Sequence, residues 1–363
     1  MYQKEIKALK KVNRYRQRKV FDNSLVDMAS NDYLGLSSRK KSLKKAYKLL
    51  KRYDTFAPKA SMLVNGYHPI HKEFEEVLAK SNGFESGIVV GSGFLANLAL
   101  IEALVRKNDV LFMDEEYHAS GVMASKLLGE RVVLFRHNDT KHLNQLLEKH
   151  SYHRAIIAIE GVYSMSGDVC KKEIFDIANK YEALLIVDEA HSAGVLGENL
   201  LGVYEYHQIP ISSNHIKMGT LGKAYGSYGA YILASNHIVE FLQNRAKPII
   251  YSTAPSVFDT ALALVNFKYI QKHTVKIKKK IYKRQDIIYK FLGIKVDSLI
   301  VAIKVGNDKT VLQIQQVLSD KGYLVGAIRR PTVKMAIVRL IPNIAVKPKE
   351  LKQTLEVINN MVK

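Results

Sequence analysis

The sequence has too little cysteine for a disulfide framework. Its single cysteine, Cys170, cannot pair within the chain and leaves too few thiols for a cysteine-rich metal site; it reads as a small buried side chain. No apolar run approaches the roughly 18–20 residues that a membrane span needs. Residues 1–19 are basic but lack the apolar stretch of a signal peptide, so a cytoplasmic location is expected. Acidic residues are scarce: 34 Asp and Glu stand against 55 Lys and Arg, a net charge of +21. Such an excess attracts polyanions, either nucleic acid or a phosphate-bearing substrate such as coenzyme A. The lysines are scattered (Lys40, Lys41, Lys44, Lys45; Lys276, Lys278, Lys279, Lys280) rather than gathered into a recognisable module. No nucleic-acid or membrane partner is therefore expected.

What is present is an ordinary globular composition, 47% apolar and 25% charged over 363 residues, enough for two domains. Residues 1–20 read as a polar, basic helix. Helical spacing covers Pro69–Asn82, with Phe74, Val77 and Leu78 on one face. Short apolar strands are predicted at 87–91, 110–113, 132–135, 155–159 and 183–187, with helices at 94–104, 142–149 and 171–181 between them. This alternation indicates a mostly parallel α/β sheet. Such sheets bind ligands beyond the carboxyl ends of their strands. After Pro255 a long basic helix is expected over 268–291, then shorter strands and helices. The domains predicted are an N-terminal arm (1–40), a large α/β domain (41–254) and a smaller α+β domain (255–363).

The strongest local signal is Leu184-Leu185-Ile186-Val187-Asp188-Glu189-Ala190-His191, an apolar strand that delivers an acid and a histidine to its end. Downstream, Lys223 sits among glycines and small polar residues in Gly219-Thr220-Leu221-Gly222-Lys223-Ala224, where backbone can approach a ligand closely. These parts suit pyridoxal phosphate (PLP). That cofactor needs a lysine amine, and an acid such as Asp188 to keep its pyridine nitrogen protonated. Its phosphate needs backbone N–H groups at a helix N-terminus, which Gly93 and Phe94 offer, or a hydroxyl such as Thr220. His118 follows the strand ending at Asp114 and can cover the ring. No metal site is indicated. Asp188-Glu189-Ala190-His191 also spells a helicase box, but the phosphate loop G-x-x-x-x-G-K-[ST] that must precede it is missing.

At these residues the chain resembles the α-oxoamine synthases, within the aspartate-aminotransferase-like (fold type I) PLP enzymes. The matching stretches are Asn31-Asp32-Tyr33-Leu34-Gly35-Leu36, Gly91-Ser92-Gly93-Phe94-Leu95-Ala96-Asn97, His137-Asn138-Asp139, Glu160-Gly161-Val162-Tyr163-Ser164-Met165, Asp188-Glu189-Ala190-His191 and Thr220-Leu221-Gly222-Lys223. The resemblance implies the PLP-dependent transferase fold. It makes Lys223 the Schiff-base lysine and the base for the Cα proton, with Asp188 and His118 completing the catalytic set. His191 and Ser164 would contact the ring's phenolic oxygen, and Gly93, Phe94 and Thr220 would lie near the phosphate. Thr253 would reach the phosphate of the other subunit's site, so a homodimer is implied. Arg16, Asn31, Thr332 and Arg339 would face substrate, Arg339 gripping a carboxylate with its planar fork. The segment Val325-Gly326-Ala327-Ile328-Arg329-Arg330-Pro331-Thr332-Val333 is similar to that of the biotin-pathway branch. That branch condenses L-alanine with pimeloyl-CoA or pimeloyl carrier protein to give 8-amino-7-oxononanoate; the alternative is glycine with acetyl-CoA. The chain departs from the family in having Arg330 for a second proline, Lys334-Met335-Ala336 after the Thr-Val pair, and Ala60-Ser61-Met62-Leu63-Val64-Asn65-Gly66 at the substrate-lining segment.

Overall fold

The computed structural model describes residues 1–12 and 14–362. Its strands are β1 (Val26–Met28), β2 (Ser86–Val90), β3 (Val110–Asp114), β4 (Val132–Phe135), β5 (Ala155–Glu160), β6 (Leu184–Asp188), β7 (His215–Thr220), β8 (Ala230–Ala234), β9 (Val301–Gly306), β10 (Tyr323–Ile328) and β11 (Ala336–Leu340). Seven of them form one sheet in the order β2-β8-β7-β6-β5-β3-β4. All neighbours in it are parallel except β8, which runs antiparallel to β2 and β7.

This sheet is covered on both faces, which is why its strands read as continuous apolar runs. Successive side chains point to opposite faces. Along β5, Ile157 and Ile159 enter one core while Ile156 and Ala158 enter the other. Along β6, Leu185 and Val187 part from Ile186 in the same way. Truncating one such residue, as in Ile157→Ala, costs about 2–5 kcal/mol. The polar ends of β5, β6 and β7 fall side by side: Glu160 is in register with Asp188, and Asp188 with Met218 two residues before Thr220.

A second, four-stranded sheet has the order β1-β10-β11-β9. Its first strand comes from the N-terminal region and pairs in parallel with β10. Helices Asp308–Asp320 and Pro348–Val362 bury Val311, Ile314, Leu318, Leu351, Leu355 and Ile358 against it. Helix Val257–Lys272 lies on the large-sheet side, with Leu264, Phe267 and Ile270 in the first core.

Two expectations about helices are corrected. The single basic helix over 268–291 is two helices, Val257–Lys272 and Thr274–Leu292, broken at His273. Thr274 Oγ1 donates to the carbonyls of Ile270 (3.0 Å) and Gln271 (3.1 Å), satisfying groups that a continuing helix would have used. The second helix then bridges both cores, with Ile277 and Ile281 in one and Ile287 and Ile288 in the other. The N-terminal helix spans only Gln3–Lys11 and buries no residue. A helix that short without a docked apolar face has little to extend it, and residues 14–22 are irregular and exposed. No helix among the described residues is long and apolar enough to cross a membrane.

Candidate active site

Lys223 lies in the turn between β7 and β8, and its Nζ is 2.9 Å from His191 Nε2. The other nitrogen of His191 meets the Tyr33 hydroxyl at 2.5 Å. Tyr33 in turn donates to Asn31 Oδ1 (3.4 Å), which also accepts from the Arg339 guanidinium at 3.0 Å. Arg339 Nε donates to the Ser164 carbonyl at 2.7 Å. One bonded chain thus joins Lys223, His191, Tyr33, Asn31, Arg339 and Ser164, drawn from five separate stretches of sequence.

Burial sets the protonation of this chain. It lowers the Lys223 amine to about 8, and Arg339 adds to the lowering, although Asp188 and Glu160 pull the other way. His191 is held well below the usual histidine value by burial and by the cations Lys223 and Arg339, so the ring is neutral. These are the two effects expected of basic groups taken out of water beside other cations.

Asp188, at the end of β6, is 4% exposed. Its Oδ2 accepts from Asn97 Nδ2 at 3.0 Å and its Oδ1 from the Ala190 amide at 3.0 Å. Asn97 is itself fixed by Ser120 Oγ (2.9 Å) and by the Tyr117 hydroxyl, which donates to its Oδ1 at 2.6 Å. His118 caps helix Ala119–Ser125, with Nδ1 accepting from the Ser120 amide and 2.7 Å from Ser120 Oγ. Burial lowers its pKa, and it feels both Asp188 and Lys223. Glu160, the neighbour of Asp188 in the sheet, is pushed well up by burial and by Asp188.

Gly93 opens helix Gly93–Leu104, and a Cβ built there would lie 2.6 Å from Thr220 Cγ2. A glycine is required for this close approach. Thr220 Oγ1 is buried and has no hydrogen-bond partner. Phe94 is 51% exposed.

The sequence expectations divide here. Lys223, His191, Arg339, Asn31 and Ser164 converge in one bonded chain, with Asp188 and His118 beside it and Gly93 against Thr220. Arg16, Thr253 and Thr332 are exposed; no hydrogen bond joins their side chains to the cluster among the described residues. Glu160, Tyr33, Asn97 and Tyr117 are polar groups of the site to which sequence reasoning gave no role. The signal for Glu160 was its place at a strand end, as for Asp188; the signal for Asn97 was its position one turn into the helix after Gly93.

Comparisons with known proteins identify the family. The family model "Aminotransferase class I and II" matches residues 23–358. An 8-amino-7-oxononanoate synthase from one strain of Helicobacter pylori is 48% identical over 342 residues, 94% of this chain and 92% of the relative. That of another strain is 47% identical over 360 residues, 98% of this chain and 96% of the relative. A solved 8-amino-7-oxononanoate synthase from Francisella tularensis superposes with a TM-score of 0.78 at 28% identity, covering 93% of this chain and 98% of that one. The Sphingomonas wittichii serine palmitoyltransferase reaches 0.90 at 22% identity, covering 99% and 96%, a likeness of fold. The chain belongs to the aminotransferase class I and II family.

Proposed function

We propose that this protein condenses L-alanine with a pimeloyl thioester, carried on coenzyme A or a carrier protein, to give 8-amino-7-oxononanoate, the reaction of the biotin pathway. Carbon dioxide and the free thiol are the other products. The observation that carries the reading is the single bonded chain that holds a neutral-capable amine, Lys223, and a carboxylate-gripping guanidinium, Arg339, beside buried Asp188.

The residues fit PLP. Thr220 Oγ1 is a buried hydroxyl without a partner, next to the Cβ-less Gly93 at a helix N-terminus. A phosphate would satisfy that hydroxyl and meet the helix amides. Lys223 would hold the cofactor's aldehyde carbon, Asp188 its ring nitrogen, and His118 its ring face; Phe94 would lie near the phosphate. When bound, PLP supplies an electron sink for charge developing at the amino acid's Cα.

The protein's own groups do the rest. Arg339 binds alanine's carboxylate through two parallel N–H bonds and so fixes which Cα bond faces the amine. With its pKa near 8, Lys223 is neutral often enough to take the Cα proton. The neutral ring of His191 holds the Lys223 amine at 2.9 Å without adding a third cation beside Lys223 and Arg339. The condensation forms a bond from Cα to the acyl carbon and breaks the thioester C–S bond; the carboxylate leaves as carbon dioxide.

The functional unit is a homodimer in which Thr253 faces the partner's site. Thr253 is exposed, while its neighbour Ala254 is pinned through its amide to the Ala60 carbonyl at 3.0 Å. Arg16 and Thr332 complete the substrate contacts from the arm and the loop before β11.

The test is a turnover assay with alanine and glycine, each against pimeloyl and acetyl thioesters. Alanine with the pimeloyl donor is expected to exceed glycine with the acetyl donor by at least about tenfold in kcat/KM, the ~1–3 kcal/mol that a methyl or methylene group gives. The reverse order would contradict the assignment.

A further inference from the structure

The loop that follows β5 presents the Ser164 carbonyl to Arg339. It is a tight turn closed by a bridge between Val162 and Val169 and by Tyr163 N–Asp168 O (3.0 Å) and Gly167 N–Tyr163 O (2.9 Å) hydrogen bonds. On one side it is pressed by the second sheet's approach. Ser298 Oγ donates to the Gly167 carbonyl at 2.8 Å. Gly167 has φ +82°, and a Cβ there would lie 2.5 Å from the Ile300 carbonyl oxygen.

On the other side stands His137, just beyond the end of β4. Its Nδ1 is 3.1 Å from Asp114 Oδ1, and its Nε2 is 2.8 Å from Asp168 Oδ2. Its ring packs edge-on against Tyr163, with centroids 4.3 Å apart at 90°. The Tyr163 hydroxyl donates to the second oxygen of Asp114 at 2.7 Å. Asn138 Nδ2 donates to Asp168 Oδ2 (2.9 Å) and to the Val169 carbonyl (3.1 Å), and Ser166 Oγ donates to Asp168 Oδ1. The end of β3, the segment just after β4 and the turn after β5 are thereby tied at one imidazole.

We infer that His137 is a positioning residue for the amino-acid substrate: by clamping Asp114 to Asp168 it fixes the 161–169 turn, hence the Ser164 carbonyl, hence the angle of Arg339. The inference rests on the assignment of Arg339 as the carboxylate anchor. A half-buried ion cluster such as this adds little net stability, because desolvation and solvent screening offset the attraction. Its better-attested use is to hold one geometry. Here the clamped turn contains the one backbone oxygen that Arg339 Nε engages. Burial alone would discharge the ring, but the two carboxylates outweigh it and raise its pKa to about 10. Both nitrogens therefore donate at neutral pH, as a clamp between two acceptors requires.

Two substitutions separate the halves of the clamp. Asn at 137 can replace only Nδ1 and keeps the Asp114 contact; Gln can replace Nε2 and keeps the Asp168 contact, the one on the loop. His137→Asn is expected to raise the KM for alanine about tenfold, and His137→Gln about threefold. The larger change corresponds to losing one charge-assisted hydrogen bond. In both variants the KM for the thioester and the PLP absorbance should stay within about twofold of the parent. Amide hydrogen exchange over 161–169 is read on the same proteins without substrate, and should be faster in His137→Asn than in His137→Gln. The clamp is overturned if exchange over the turn matches the parent in both variants, or if the variants lose melting temperature while the alanine KM holds. If the parent enzyme itself does not turn over alanine, the proposed reaction fails instead, and the exchange comparison alone decides the clamp.

Discussion

Two groups of residues are assigned the substrate and cofactor contacts in the proposed reaction, and they differ in how they are held. Lys223, His191, Asn31 and Arg339 are linked inside the chain, His191 to Asn31 through the Tyr33 hydroxyl, at strand ends and the loops beside them. Arg16, Thr253 and Thr332 stand on exposed segments, with no bond from their side chains to that cluster among the described residues. The first group is positioned by the fold of one protomer. The second, in the proposed reaction, acts only when something else arrives, a partner subunit or the substrate. Burial is what separates them: a desolvated cluster must satisfy its polar groups internally, while an exposed threonine has water.

The comparison breaks most sharply at Arg339. Arg339→Ala removes a desolvated fork and is expected to cost about 3 kcal/mol, roughly 10²-fold in kcat/KM for alanine. Arg339→Lys should recover only part, because an ammonium cannot supply two parallel bonds. Steady-state kinetics with varied alanine would show it, and a loss under about threefold would mean that the guanidinium is a strut of the fold. A smaller effect is expected in the second group. Thr253→Ala should weaken PLP binding about fivefold, the ~1 kcal/mol of one hydrogen bond, and only in the dimer. Reconstitution with PLP at protein concentrations above and below dimer dissociation would sharpen the distinction. A concentration-independent effect would place Thr253 in its own protomer's site.

Much of this was legible in the sequence because strand ends announce themselves. An apolar run that stops at Asp188 and continues to His191 marks a ligand edge before any pairing is known, and so does the run that stops at Asp114. The parallel sheet was legible for the same reason: strands buried on both faces carry no polar alternation. Other features depend on pairings that sequence spacing does not encode. Glu160 matters because β5 lies in register with β6. His137 matters because its partners, 23 and 31 residues away, stand at the end of β3 and in the turn after β5. The break at His273 is not legible because the apolar and basic spacing continues through it; there the backbone leaves helical values, and the Thr274 hydroxyl takes up the carbonyls of Ile270 and Gln271.

The proposed chemistry stands or falls on the amine in the β7–β8 turn. The direct measurement is the visible absorbance spectrum of purified parent protein and of Lys223→Ala, each with added PLP and then with alanine. The parent should show a cofactor band that shifts when alanine is added. The variant should lack the parent band before alanine is present and form no product. A parent-like band in the variant, with a parent-like response to alanine, would contradict the assignment of Lys223 and the reaction built on it.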